Sequence, residues 1–329
     1  MSGTEALRLN PAEKPRVFAH GWPEPVVITG FGGAADGPLE ASDEALKAFS
    51  QQQLDGIKMP PNSGQALGAR ALVAALQRTL DHPAMGGLPA PEERAMVIGT
   101  RLASINETIH FMEQIDTHSA TLVNPALFPF TVMNAAAGLA AIQHQCRGAN
   151  VTFNNGAVSA LVALSYAADL VLAGQAEVVF AGGFESLSPR ACAALGRNRP
   201  AVTVATTFAV TTLKNADRSG ALPCARFAGY SCGDLPQLSL QDTRTAVVES
   251  AQEAASAKHP EADLEETIGP TPTAARHEEI LVDLVEAITA CAADTNTNSG
   301  SNTLRTVYSG SERVPSGAAL VFTGVDDSV

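Results

Sequence analysis

The 329-residue chain lacks a long apolar run, any metal-ligand spacing, paired cysteines and an excess of basic charge, and each absence removes a class of function. Its longest apolar run, Ala160 to Ala173, falls short of the ~20 residues that cross a bilayer and contains Asp169. The N-terminal stretch from Met1 to Arg16 is polar and has no apolar centre of the kind a secretory signal needs. Five cysteines, Cys146, Cys192, Cys224, Cys232 and Cys291, form no C-x-x-C pair, and an odd, scattered set predicts reduced thiols in a soluble, cytosolic protein. No metal or other cofactor is expected from these spacings. A net charge of -13 argues against nucleic acid or an anionic membrane as partner.

What is present centres on one stretch. Gly148 to Phe153 reads as a short strand, Asn154 to Gly156 as a tight turn, and Ala160 to Ala173 as a helix that is apolar nearly all the way round. A helix with so little polar surface belongs at the centre of a fold or against another subunit. Gly174 supplies its left-handed cap, Val178 to Ala181 a buried strand, and Gly182-Gly183 a turn before Phe184-Glu185. A strand feeding a sharp turn into a helix can expose a nucleophile where the helix N-terminus favours developing negative charge. The turn here carries Ala157, which has no nucleophile to offer.

Upstream, residues 1–24 read as a polar leader on the surface. Val26 to Thr29 is a strand, followed by Gly30-Phe31-Gly32-Gly33-Ala34-Ala35 as a turn. These residues formally satisfy the dinucleotide pattern G-x-G-x-x-A, but Asp36-Gly37-Pro38 breaks the chain where that reading needs a helix. Residues 40–66 are polar and Gln-rich, a surface segment. Leu67, Ala71, Leu72, Ala75, Leu76 and Leu80 share one helical face, and Met96 to Thr100 is a second central strand. Asn106 to Ile115 is helical, Pro125 and Pro129 mark a loop, and Asn134 caps a helix from Ala135 to Gln145. Ala209 to Leu213 and Arg226 to Tyr230 read as strands, Thr243 to Ala257 as a helix, Ile280 to Ile288 as another, Thr295 to Asn302 as a polar linker and Ala318 to Phe322 as a final strand.

Taken together, Val26 to Gly32, Asn124 to Pro129, Asn134 to Gly138, and the Gly148–Gly174 stretch with Gly182-Gly183-x-Glu185 resemble β-ketoacyl synthases, condensing enzymes of the thiolase fold. The resemblance covers roughly the first two thirds of the chain. It implies a layered αβαβα fold of two pseudo-symmetric halves, residues 25–220 and a shortened 221–329, behind the leader. In that family a cysteine stands where this chain has Ala157, and two histidine motifs assist it. Here Gly269 to Thr273 offers no histidine, His277 comes several residues late at the start of a helix, and Val307 to Pro315 has neither the second histidine nor its lysine. Thr206 replaces a family glutamate.

The resemblance therefore implies a catalytically silent, chain-length-factor-type subunit that pairs with an active β-ketoacyl synthase and meets an acyl carrier protein, in type II polyketide or fatty-acid-like biosynthesis. Phe128, Phe130, Met133, Asn134, Phe153, Asn154, Asn155, Ala157 and Leu161 are then candidates for tunnel or dimer contacts. Arg190, Arg197 and Arg199, with Lys214, Arg218 and Arg226 beyond them, are candidates for a patch that greets an acidic carrier protein. The alternative is a divergent acyltransferase with a non-standard nucleophile, Ser159 or a cysteine. Ser159 lies two residues past the turn and reads first as a structural hydroxyl, Cys146 as a packed thiol, and His110, His118 and His144 as scattered structural imidazoles.

Overall fold

The computed structural model describes residues 17–37, 43–50, 54, 57, 66–118, 121–194, 201–234, 240–257, 263–264, 277–297, 303–310 and 316–323. Among the described residues eleven strands make one sheet. They are β1 (Val17–His20), β2 (Val26–Asp36), β3 (Phe49–Ser50), β4 (Arg94–Gly99), β5 (Asn150–Phe153), β6 (Val178–Leu187), β7 (Val202–Thr212), β8 (Ala225–Asp234), β9 (Asp263–Leu264), β10 (Thr303–Gly310) and β11 (Ser316–Thr323). The order is β5-β4-β6-β7-β2-β8-β11-β10-β9, with β1 added to β8 and β3 to β2. The helices are α1 (Asp43–Ala48), α2 (Leu67–Leu80), α3 (Ile105–His118), α4 (Ala135–Gln143), α5 (Ser159–Leu172), α6 (Pro189–Ala194), α7 (Leu213–Ser219), α8 (Leu240–Ser256) and α9 (His277–Thr297).

The sheet folds over at a narrow joint, because β2 and β8 pair only through Val27 with Arg226 and Ile28 with Ala225. Alternation along each strand then assigns two faces. Ala95 and Val97 of β4 point to the same core as α5 and α9, while Met96 and Ile98 point to α2 and α4. In the second half, Ala318, Leu320 and Phe322 of β11 share the α5/α9 core, and Ala319 and Val321 pack with Val247 and Ala251 of α8. The layers are therefore α2 with α4, the first half-sheet, α5 with α9, the second half-sheet, and α8. This is the layered αβαβα architecture expected from the sequence. Covered on both faces, β4 after Arg94 and β6 as far as Phe184 read as continuous runs without a polar side chain.

The halves differ in one respect that bears on function. Counting outward from the joint, β2, β7, β6, β4 and β5 are matched by β8, β11, β10 and β9, and among the described residues β5 has no counterpart. In the first half 59 residues separate Gly99 of β4 from Ser159 of α5; in the second, 12 separate Leu264 of β9 from His277 of α9.

Several expectations are corrected. Residues 17–20 of the expected leader form β1, held to β8 in the register Val17 to Gly233 through His20 to Tyr230, and Trp22 is buried. The glycines after Thr29 do not turn; β2 runs on to Asp36 across an irregularity between Ile28 and Phe31. A Cβ on Gly32 would come within 2.8 Å of the Thr79 amide nitrogen, so its bareness is what lets α2 lie on the sheet. Gly182-Gly183 is likewise no turn but lies inside β6, where a Cβ on Gly182 would sit 2.1 Å from the Thr206 carbonyl oxygen of β7.

Within 40–66, expected to be surface, Ala45, Phe49 and Leu54 are buried. The Pro125–Pro129 loop is a 3-10 helix, Pro125–Thr131, capped by the Asn124 side chain, which accepts from the Ala126 amide at 3.0 Å. Asn134 makes no side-chain capping bond to α4, which ends at Gln143. The strand expected at 209–213 is the end of β7, and Leu213 opens α7. The linker expected at 295–302 begins inside α9, since that helix runs to Thr297; residues 298–302 lie outside the described residues.

Candidate functional site

The site grows from the ends of β4, β5 and β6, where the chain leaves three adjacent strands in the same direction. β5 pairs in parallel with β4, Phe153 opposite Gly99, and the Thr100 amide donates to the Phe153 carbonyl at 2.9 Å. Beyond Phe153, Asn154 and Asn155 are exposed, and Gly156 takes φ +68°, the left-handed conformation that its lack of a side chain permits. A 3-10 turn, Gly156–Val158, then runs into α5 with Ala157 buried at its centre. Gly99 is essential to the approach: a Cβ there would meet the Ser159 carbonyl carbon at 2.3 Å. Strand, turn and helix are thus where the sequence places them, with a methyl group at the apex.

Ser159 has its hydroxyl committed. It accepts from the Asn155 amide at 2.8 Å and donates to the Gly156 carbonyl at 2.7 Å, closing the turn on itself, and the residue is fully buried. The thiols are no better placed. Burial pushes Cys146 up to about 11 and Cys224 up to about 12, so both stay protonated at neutral pH, and Cys192 and Cys291 are buried. Among the imidazoles, His110 lies 3.0 Å from the Gln114 amide nitrogen and His144 lies 3.2 Å from the Val73 carbonyl oxygen. The His118 side chain lies outside the described residues.

The second half meets the turn through α9 and β10, which both pack against Gly156–Val158. His277 is the first residue of α9; its side chain, like residues 265–276, lies outside the described residues. The stretch 307–315, which the resemblance sets against a histidine motif, is largely something else. Val307 to Gly310 completes β10, with Val307, Tyr308 and Ser309 buried and paired to β11. Residues 311–315 lie outside the described residues.

Glu185 is the residue whose importance the sequence motif marks without explaining. It is wholly buried in β6, and its Oε1 accepts from the Thr100 hydroxyl at 2.7 Å, the Arg101 amide at 2.5 Å and the Leu102 amide at 3.2 Å. Thr100 Oγ1 in turn accepts from the Ala103 amide at 2.9 Å, and Ala103 is held at φ +47°. A buried carboxylate therefore shapes the loop that leaves β4. Charge-assisted bonds of this kind are the strong ones.

The other candidates divide. Phe130 lines a cavity of about 260 Å³ between α3 and the Pro125–Thr131 helix, together with Ile109, Leu127 and Glu107. That cavity had no signal in the sequence, because it is made by α2, α3 and the end of β6 meeting across long separations. Phe128 and Met133 are exposed, as are Met112, Leu122, Val132 and Ile142, and Asn134 lies among them. Phe153 stacks edge-on against Tyr166 of α5, while Leu161 is in the core.

Arg190 forms an ion pair with Glu113 on α3. Arg197 and Arg199 lie outside the described residues. Arg218 pairs with Glu177 at the start of β6, whereas Arg190 follows the end of that 10-residue strand, so the two are roughly 30 Å apart and share no patch. Among the described residues no group of three or more potential metal ligands occurs, and no single helix is long and apolar enough to cross a membrane.

Two stacked half-sheets around a pair of core helices, with a strand–turn–helix entering one of them, define a thiolase-like layered fold. Residues 67–220 match the family model of the β-ketoacyl synthase N-terminal domain. Solved structures agree on the fold. The ishigamide ketosynthase/chain length factor is 18% identical with a TM-score of 0.66, over 92% of this chain and 100% of that one. AntDE:AntF, a type II PKS acyl-carrier protein in complex with its ketosynthase, is 15% identical with a TM-score of 0.64, over 92% and 100%. A β-ketoacyl synthase from Burkholderia phymatum STM815 is 13% identical with a TM-score of 0.66, again over 92% and 100%. No curated protein matches the sequence.

Proposed function

We propose that this chain is a catalytically silent, chain-length-factor-type subunit that heterodimerises with an active β-ketoacyl synthase and shapes its acyl tunnel in type II polyketide or fatty-acid-like biosynthesis in the cytoplasm. The observation that carries the reading is Ala157, a methyl group at the apex of an intact strand–turn–helix whose neighbouring hydroxyl, Ser159, is consumed in holding the turn. Condensation needs a nucleophile to carry the acyl group. A protein that keeps the frame and drops the nucleophile is kept for shape and association.

The edge of the sheet supports association. Among the described residues β5 ends the sheet; α4, which packs against it, exposes Ile142, and Met112, Leu122, Phe128, Val132 and Met133 are exposed on α3 and the segments that lead to α4. An open strand edge rimmed by apolar side chains suits a partner built the same way. The acyl carrier protein is the second partner, reached through the ketosynthase complex. The halves 25–220 and 221–329 meet in the segment between α7 and β8, so each keeps one core helix and one half-sheet.

Co-expression with a cysteine-bearing homologue from the neighbouring gene, followed by native mass spectrometry, tests the reading. A one-to-one complex and no condensation by this chain alone are the expected results. A homodimer that condenses malonyl units by itself, or an acyl adduct on Ser159 or a cysteine after treatment with an acyl thioester, would overturn it and favour a divergent acyltransferase.

A further inference from the structure

A second cavity, of about 380 Å³, opens at the far end of α2 from the first, a helix length or about 21 Å away. Phe31 of β2, Lys47 of α1, Arg78 of α2, Asp81 and His82 just beyond it, and Thr289 of α9 line it. Its walls hold donors left over from the fold. The Arg78 guanidinium gives Nε to the Ala48 carbonyl at 3.0 Å and Nη2 to the Lys47 carbonyl at 2.7 Å, closing the end of α1. Among the described residues its Nη1 bonds nothing, and no ion pair joins it to Asp81, whose carboxylate accepts from Gln77 at 3.0 Å. His82 accepts the Ala84 amide on Nδ1 at 3.2 Å, so its proton sits on Nε2, where it too lacks a partner. Burial holds this imidazole below its ordinary range and so keeps it neutral. The Thr289 hydroxyl is enclosed and makes no hydrogen bond. Lys47 adds a second cation but is engaged with other groups as well, so Arg78 is the cation that matters. Phe31 gives a flat apolar wall, its ring centroid 4.6 Å from that of His82.

We propose that this cavity binds a flat aromatic monocarboxylate. Unbonded donors beside a cavity cost free energy that an acceptor recovers, and Arg78 Nη1 with His82 Nε2 offers a donor to each of a carboxylate's two oxygens. A guanidinium is the side chain best matched to that planar anion. The charge of the walls sets the limit. A phosphate monoester would bring a second negative charge towards Asp81, and an ammonium ligand would face Arg78 and Lys47. The Phe31 and His82 rings suit an aromatic body in place of an aliphatic one. Such a ligand touches α1, α2 and α9 at once, so it stabilises the native chain by mass action.

Fluorescence titration of the full chain at pH 8 reads the result with three probes: 2-naphthoate, 2-naphthyl phosphate and 2-naphthylmethylamine. The naphthoate is expected to bind one to one, about tenfold more tightly than the phosphate, with no saturable binding of the amine. Its ring current is expected to shift the His82 ring-proton signal in NMR. Asp81→Asn removes the repelling charge from an exposed position and is expected to bring the phosphate within about threefold of the naphthoate. His82→Phe keeps an aromatic ring without the donor and is expected to weaken the naphthoate about tenfold. Arg78→Lys keeps the charge, but one ammonium cannot serve both α1 carbonyls and a ligand, so binding is expected to be lost; should that variant fail to fold, the other two decide. No saturable binding of naphthoate, phosphate or amine binding as tightly as naphthoate to the unaltered chain, a His82 signal that does not move, or an unchanged affinity in His82→Phe each overturn the proposal. None of these readouts involves a ketosynthase, so the subunit reading stands or falls separately.

Discussion

At the scale of the residue, the decisive groups are a carboxylate that stays and a nucleophile that is gone. Glu185 gathers the Thr100 hydroxyl and two backbone amides in a place with no access to water. Truncating it to alanine strands those donors and releases the loop that keeps Ala103 at positive φ. Glu185→Ala should therefore lower stability by about 2–4 kcal/mol, measured by urea unfolding. Ala157 is the converse case. Replacing it with cysteine adds one sulfur to a buried turn whose Ser159 hydroxyl is committed, and no imidazole stands on β10 or within α5 to assist it. Ala157→Cys should fold yet give no condensation product with acyl and malonyl carrier protein, as followed by mass spectrometry.

At the scale of the element, glycine positions and edges decide what each strand can do. Gly182 shows both the rule and why the sequence misleads. A Gly-Gly pair signals a turn in isolation, but here the demand comes from the Thr206 carbonyl on a neighbouring strand, which only the assembled sheet reveals. Gly182→Ala should cost more than about 2 kcal/mol, since the clash is with backbone on a central strand that cannot move away. The same reason hid β1, whose partner β8 lies some two hundred residues away, and extended β2 through its glycines.

By contrast, α2, α5, β4 and α9 were legible because their apolar period is local and strong. The site was legible to the same degree: the turn, Ala157 and Glu185 follow from chain order, whereas the α3 cavity and the commitment of the Ser159 hydroxyl need the fold. The exposed edge beside β5 gives the test of association. Ile142→Glu together with Phe128→Glu adds charge at two exposed sites, so the chain should keep its thermal midpoint within about 2 °C while losing its ketosynthase partner in co-purification.

At the scale of the whole molecule, two helices, α9 and α3, carry acids whose ionisation burial opposes, inside a chain of net charge -13. Asp283 on α9 is pushed up to about 7 by burial, reinforced by Glu286 and Glu279, and its Oδ2 is enclosed without a hydrogen bond. Glu107 is raised to about 7 by burial alone, against its own backbone amide. In the unfolded chain both groups ionise near pH 4, so between pH 4 and 7 the native state holds protons that the unfolded state has released. Stability must then fall as pH rises through that window, the opposite of the usual behaviour of a salt-bridged carboxylate. The overall negative charge acts in the same direction, because self-repulsion grows as further acids ionise. The thermal midpoint should rise on going from pH 8 to pH 5.5, and Asp283→Asn should flatten that slope while raising the midpoint at pH 8. A midpoint that falls on acidification, or a slope unchanged by the substitution, would show that Asp283 is ionised within the folded core.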